Sequence, residues 1–472
     1  MLKNNAGNNL AINASGAFVF SSTVVNGGTY AVTVATQPTS PAQTCLVSNG
    51  AGTVSGADIS NVTIACTTLV GKFLYIPNTD SNNVSGYAIN ATNGVLTEIT
   101  GSPFSAGVGA VLASAEPTNK FLYVSNQGST TATANLSAYA INSVTGVLTQ
   151  LSGSPFAFSS PAPAVGLMNI GPVTFHPSGK FGFARNGGST GQLYGVAIDT
   201  VTGAVTQTPG APITVSSNGL QGVTYSTSGN YLYTHYGVPS GGVALYSVDA
   251  SSGVLTPIGT GVSTGGSNPA GLTIDPSGKL LFVPNVQSAN LAAFTIDVPS
   301  GVLTAVAGSP FSTGAGSTPT AAVIHPTKNF MYVVNSAASS TVLAYTFNTT
   351  SGVPTAISGS PYSTNGTAAV TLKMEVTGRF LYVANLNSNT IEGYTINQST
   401  GALTEVTGGP VATGVHPVIM AIDQSGKYLY CVNRGENTVS SYAINSSTGV
   451  LSLINTVPTG STPINGVVVG LQ

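Results

Sequence analysis

Apolar and polar positions alternate with a period of two along most of this chain, the pattern of half-buried β-strands and not of helices. Phe380, Tyr382 and Ala384 form one such run, and Ile391, Gly393 and Thr395 the next, each with alternating partners. Asn, Gly, Ser and Pro separate the runs, as tight turns between antiparallel strands require. This spacing predicts four strands, over residues 369–374, 380–384, 390–396 and 403–406. Ser399-Thr400-Gly401 joins the third to the fourth, with glycine supplying the positive φ of a hairpin.

The same unit recurs along the chain. Gly71-Lys72-Phe73-Leu74-Tyr75 returns as Asn119-Lys120-Phe121-Leu122-Tyr123 and as Gly179-Lys180-Phe181-Gly182-Phe183. The last aromatics are Tyr75, Tyr123, Phe183, Tyr233, Phe282, Tyr332, Tyr382 and Tyr430, at steps of 48, 60, 50, 49, 50, 50 and 48 residues. A second mark, the glycine of a Thr/Ser/Asn-Gly-Val/Ala turn, falls at Gly94, Gly146, Gly203, Gly253, Gly301, Gly352, Gly401 and Gly449. Both marks count eight. Four short strands per repeat predict an all-β fold, an eight-bladed β-propeller, with a seven-bladed ring as the alternative. The first copy opens on its second strand, while residues 461–469 resemble the first strands at 266–272 and 317–323. The C-terminal strand is therefore predicted to complete the first blade, which removes exposed sheet edges at the seam.

Tyr382-Val383-Ala384-Asn385, Thr400-Gly401-Ala402-Leu403-Thr404 and His176-Pro177-Ser178-Gly179-Lys180 are similar to motifs of the lactonase-type propeller family. That family includes 6-phosphogluconolactonase-like and YncE-like proteins, and its members usually have seven blades. The resemblance covers residues 69–472 and implies Arg, His and acidic groups gathered at the propeller mouth.

Residues 1–68 lie outside the repeat and are expected to form a small β-sandwich-like module. Phe18 and Phe20, then Tyr30, Val32 and Val34, then Val62 and Ile64 alternate as its strands. Cys45 and Cys66 flank Asn49-Gly50-Ala51-Gly52-Thr53, and Cys431 is the remaining cysteine. A Cys45–Cys66 disulfide would offset a thin core, by about 3 kcal/mol for a loop of about twenty residues. Two unrelated buried thiols are the other reading. Tyr30-Ala31-Val32-Thr33-Val34, through Gln37-Pro38 to Gln43-Thr44-Cys45 and Ala65-Cys66-Thr67, resembles an immunoglobulin-like module of exported bacterial surface proteins. A disulfide also belongs to an oxidising compartment. The expected location is extracellular or at the cell surface, with a leader that this sequence lacks.

Composition narrows the function classes. Only 5 % of residues are charged and the formal net charge is −2, against roughly 25 % charged in an ordinary soluble domain. No field draws a phosphate backbone, so nucleic acid is excluded as a partner. No run approaches the ~18 apolar residues of a transmembrane helix. A surface of Thr, Ser, Asn, Gln and Gly with so little charge lacks repulsion between copies, and self-association is expected.

Titratable candidates are few. His176 and His325 sit in His-Pro turns aligned with Asp275 and Asp423, and are read as turn stabilisers. His235 ends a second strand, with Arg185 at the equivalent position one blade earlier. His416 precedes Pro417 on a connection toward the channel, and Arg434 and Glu436 follow Asn433 in the next loop. Together with Tyr236 these groups are expected on one face. His235, His416 and Arg185 are the catalytic candidates, with His as general base toward a lactone or its attacking water. Tyr236, Arg434, Glu436 and Lys373 are the ligand-binding candidates, since Arg can hold a carboxylate bidentately and Lys373 is out of place in a barrel-lining strand. The structural alternative is ordinary loop polarity and a snorkelling lysine. Metal-ligand spacings and cofactor motifs are absent, so no metal and no cofactor are expected. The favoured reading is an exported, non-catalytic propeller serving as a binding or structural scaffold. A lactonase-like hydrolase of a small lactone and an adhesin for glycans or a partner protein are the alternatives.

Overall fold

The computed structural model describes residues 1–5, 7–12, 16–35, 43–68, 71–129, 134–158, 170–187, 191–216, 219–237, 240–337 and 339–470. Every regular element among them is a strand.

Eight of its sheets share one construction. Blades one to eight are numbered by their second strands, Phe73–Asn78, Phe121–Asn126, Phe181–Asn186, Tyr231–Tyr236, Leu280–Asn285, Phe330–Asn335, Phe380–Asn385 and Tyr428–Asn433. In blade seven, Ala369–Met374, Phe380–Asn385, Thr390–Ile396 and Leu403–Glu405 pair antiparallel in chain order, within one residue of the expected limits. All six positions of Phe380–Asn385 are buried. The second strand is therefore covered on both faces, because a neighbouring blade packs on each side of it.

Blade one takes its inner strand from the far end of the chain. Val467–Val469 pairs with Phe73–Asn78, placing Val467 opposite Tyr75 and Val469 opposite Phe73. Lys72 N donates to Val469 O at 2.8 Å and Thr79 N to Thr462 O at 3.1 Å. The expected closure is in place, and it pairs an edge that would otherwise be a template for aggregation.

The two repeat marks in the sequence are the two ends of one contact. The second-strand tyrosine of one blade donates to the turn glycine carbonyl of the next, from Tyr75 to Gly146 at 2.6 Å and from Tyr123 to Gly203 at 2.9 Å. Gly401 receives Tyr332 in this way, at φ +74, where a Cβ would lie 2.6 Å from Ile357 Cδ1 and 2.7 Å from Phe330 Cδ1. Glycine is required there on both counts.

The outer edge of the third strand is covered in two pieces in blades one to seven, and by the single strand Leu451–Pro458 in blade eight. In blade seven Tyr394 faces Glu405 of the fourth strand, while Ile391 faces Val411 of a two-residue fifth strand. The Gly-Ser-Pro-Phe/Tyr turn bridges these pieces in four blades. There Ser102, Ser154, Ser309 and Ser360 Oγ accept from the third-strand amides of Gly86, Ala138, Ala293 and Ala344 at 2.9–3.0 Å.

The N-terminal strands form a four-stranded sheet in the order Asn8–Leu10, Leu2–Asn4, Thr29–Val34, Ala51–Thr53, with a separate pair, Gln43–Ser48 and Thr63–Thr68. Cys45 and Cys66 stand opposite each other in that pair and are joined, with S–S 2.06 Å. Phe18 and Phe20 fall outside any strand, against expectation, and their rings meet edge-on at 6.0 Å. Alternation alone makes no strand where no partner edge takes up its backbone groups. This strand pattern does not confirm the immunoglobulin-like resemblance, whose Gln37-Pro38 step lies outside the described residues, as does the join at Leu69-Val70.

Candidate functional site

The fifth position of the second strand points at the inner edge of the next blade. Five blades place Pro77, Pro284, Val334, Ala384 and Val432 there, and the other three, consecutive around the ring, place Ser125, Arg185 and His235. Ser125 Oγ donates to Gly171 O of blade three at 2.9 Å, and Arg185 Nη1 donates to Leu220 O of blade four at 3.1 Å. Two inner-strand glycines make room for the larger pair. A Cβ on Gly171 would sit 2.5 Å from Arg185 Cγ, and one on Gly222 would sit 2.6 Å from His235 Cε1. Both side chains therefore lie over the strand that lines the channel.

His235 is 1 % exposed, and neither ring nitrogen has a hydrogen-bond partner. Burial, reinforced by the nearby Arg185 charge, pulls its pKa down to about 3, so the imidazole is neutral at pH 7. Burial also lowers Arg185 from its ordinary value, though a guanidinium remains charged in any working range.

The other sequence candidates divide. Tyr236 follows His235 in the strand, so the pleat turns it to the opposite face, where Cβ atoms on Gly242 and Gly261 would meet its hydroxyl at 2.6 and 3.4 Å. That removes Tyr236 from the His235 group. His416 is exposed at φ +54, and its carbonyl accepts from Arg434 N at 3.0 Å. Arg434 and Glu436 are also exposed, with a Cβ on Gly414 calculated to meet Glu436 Oε2 at 2.6 Å. These three gather in blade eight, four blades from His235. Lys373 stands on the inner strand of blade seven opposite Tyr382, half-buried, with burial lowering its ammonium pKa.

His176 and His325 serve their turns. Ser178 N donates to His176 Nδ1 at 3.1 Å, and Thr327 N and Lys328 N donate to His325 Nδ1 at 3.2 and 3.1 Å. Glu375, two residues after Lys373, plays the same part and accepts from Thr377 N at 3.1 Å. Sequence reasoning missed Ser125, Gly171 and Gly222. The signal was there in the alignment of fifth positions, where polar residues interrupt an apolar column.

Residues 42–165, 173–312 and 308–467 match the family described as lactonase, 7-bladed beta-propeller. The chain belongs to that family. Its own strand pairing forms eight sheets of the blade type where the family description gives seven blades. A candidate 6-phosphogluconolactonase from Bacteroides fragilis is similar in fold, at TM-score 0.55 and 18 % identity, covering 87 % of this chain and 99 % of that one. The periplasmic gluconolactonase of Pseudomonas aeruginosa superposes at TM-score 0.56 and 16 % identity, covering 86 % and 100 %. Dihydro-heme d1 dehydrogenase, in complex with its ligand, gives TM-score 0.55 at 10 % identity, covering 84 % and 75 %. No curated protein matches the sequence.

Membership of the lactonase family gives no support to the non-catalytic scaffold favoured from composition, and it is compatible with the lactonase alternative. Among the described residues no three His, Cys, Asp or Glu side chains cluster to hold a metal, and no helix is long and apolar enough to cross a membrane. A cavity of about 120 Å³ lies elsewhere, between blades two and three, lined by Leu136, Phe156, Phe158 and Tyr194. Arg185 and His235 do not line it; they lie within the sheets of blades three and four, His235 fully buried.

Proposed function

We propose that this chain is an exported lactonase-like hydrolase acting on a hydroxylated lactone at the channel wall of the propeller. The observation that carries this reading is the pair Arg185 and His235, each laid over an inner-strand glycine, in a member of the lactonase family. Arg185 offers fixed donors to the lactone carbonyl, where negative charge grows as water adds. Neutral His235, buried over Gly222, shapes the wall beside Arg185 and adds no competing charge there. Water adds to the carbonyl carbon, the tetrahedral oxyanion collapses, the ring C–O bond breaks, and the ring oxygen takes a proton to give the hydroxy acid. The Cys45–Cys66 bridge and the periplasmic location of the Pseudomonas relative support export. Residues 1–68 are assigned to a separate small module and residues 69–472 to the propeller.

The test is acid release from a panel of γ- and δ-lactones by wild type, Arg185→Met, His235→Ala and His416→Ala. Wild-type turnover that falls about 100-fold in the first two variants and persists in the third supports the reading. No wild-type turnover, or equal rates in all four proteins, sinks it.

A further inference from the structure

Blade seven carries a carboxylate with no evident use in the channel. Glu392, third in the strand Thr390–Ile396, is 0 % exposed, and neither carboxyl oxygen has a hydrogen-bond partner. Three other blades place Ser85, Ser137 or Ser440 at this position, where the serine accepts from the strand-end Asn78, Asn126 or Asn433 at 2.9 Å. Glu392 instead lies against Glu405 of its own blade and Asn365, in the loop that follows Tyr362–Ser363 of blade six. Asn365 Nδ2 donates to Glu405 Oε2 at 3.1 Å, and Ser363 Oγ donates to Asn365 Oδ1 at 3.4 Å. Tyr394 is the other titratable group facing both carboxylates, and no Lys, Arg or His among the described residues acts on Glu392.

We propose that Glu392, Glu405 and Asn365 form a binding site for a hard divalent cation of the calcium or magnesium class, clamping blade seven to the loop of blade six. The donors are the carboxyl oxygens of Glu392 and Glu405 and, once its amide turns over, the oxygen of Asn365, the oxygen set that calcium, magnesium and manganese take. A cation there would supply the countercharge that allows a sealed carboxyl to ionise. Because Glu405 and Asn365 are near the surface, the ion can enter and leave through water.

Thermal unfolding with calcium chloride, with magnesium chloride and with EDTA is the test, on wild type, Glu392→Gln and Glu98→Gln. Glu98 is the blade-one counterpart of Glu405, paired with Tyr87, and blade one has Ser85 where blade seven has Glu392. Calcium or magnesium should raise Tm by several degrees in wild type and Glu98→Gln and leave Glu392→Gln unmoved. Terbium luminescence sensitised by tyrosine provides a second readout on folded protein. It should appear at one ion per chain, be displaced by calcium, and drop in Tyr394→Phe. Absence of any cation-dependent shift in wild type overturns the proposal, as does an equal shift in Glu392→Gln. A stability that ignores cations but falls as pH rises through 8 also overturns it, since it means that the two carboxyls share a proton.

Discussion

The hydroxyl of Tyr332 donates to the carbonyl of Gly401 in the following blade at 2.7 Å, and four other junctions, from Tyr75, Tyr123, Tyr233 and Tyr382, repeat this bond. Tyr430 stands at the same position in blade eight, but its hydroxyl has no partner, and Gly94 O is taken by Ser441 Oγ at 3.1 Å. The two tyrosines should therefore respond differently to loss of the hydroxyl. Tyr332→Phe leaves a buried carbonyl unpaired and should lower stability by about 1 kcal/mol, while Tyr430→Phe should cost nothing or stabilise slightly. Denaturant midpoints of the two variants check this, and equal losses would contradict it.

The closing strand accounts for the next expectation. Without residues 461–472 the inner edge of Phe73–Asn78 loses its partner and the ring loses its seam. The truncated protein should scatter light at micromolar concentration and be cut by proteases that spare the full chain. A monomeric truncation with unchanged protease resistance would show that closure lies elsewhere.

Turn carboxylates give a third. Asp275 Oδ1 accepts from Lys279 N at 2.8 Å and Leu280 N at 2.7 Å, while Oδ2 accepts from Ser277 N at 3.0 Å. Asp275→Ala strands those buried amides and should cost about 2 kcal/mol or more. Asp275→Asn keeps one acceptor oxygen and should cost less, a ranking that chemical denaturation can check.

The fold was legible in the chain because each blade must repeat the same burial problem. An aromatic within the second strand and a hairpin glycine recur in every blade, and a serine accepting at the third-strand edge recurs in four of them. The join of the ends was legible for the same reason: residues 461–469 carry an inner-strand pattern with no strand of their own to precede. The site was legible in part. Alignment of second strands placed Arg185 and His235 together, since register transfers directly between copies. It could not show that Tyr236 turns away, which follows from the pleat, nor that Gly171 and Gly222 matter by being small. Glu392 was hidden because Ile391, Gly393 and Thr395 read as the buried face of an ordinary strand, although both faces are covered.

His235 makes acid sensitivity a measurable property. An unfolded histidine takes its proton near pH 6.5, whereas His235 in the folded chain does so only near 3. Between those values the unfolded chain binds the extra proton, so this residue's effect is a stability loss as pH falls from 6.5 toward 3, on the order of 5 kcal/mol in full. His235→Phe should lose less stability than wild type between pH 7 and pH 4. Parallel losses in the two proteins would mean that His235 is solvated and titrates normally.

The most direct measurement is the initial rate of hydroxy-acid formation from a hydroxylated δ-lactone, at pH 7, by wild type and by Arg185→Met with matched unfolding curves. A wild-type rate well above the uncatalysed one that falls about 100-fold in the variant is what this account predicts. Background rates for both proteins across lactones of several ring sizes would contradict it.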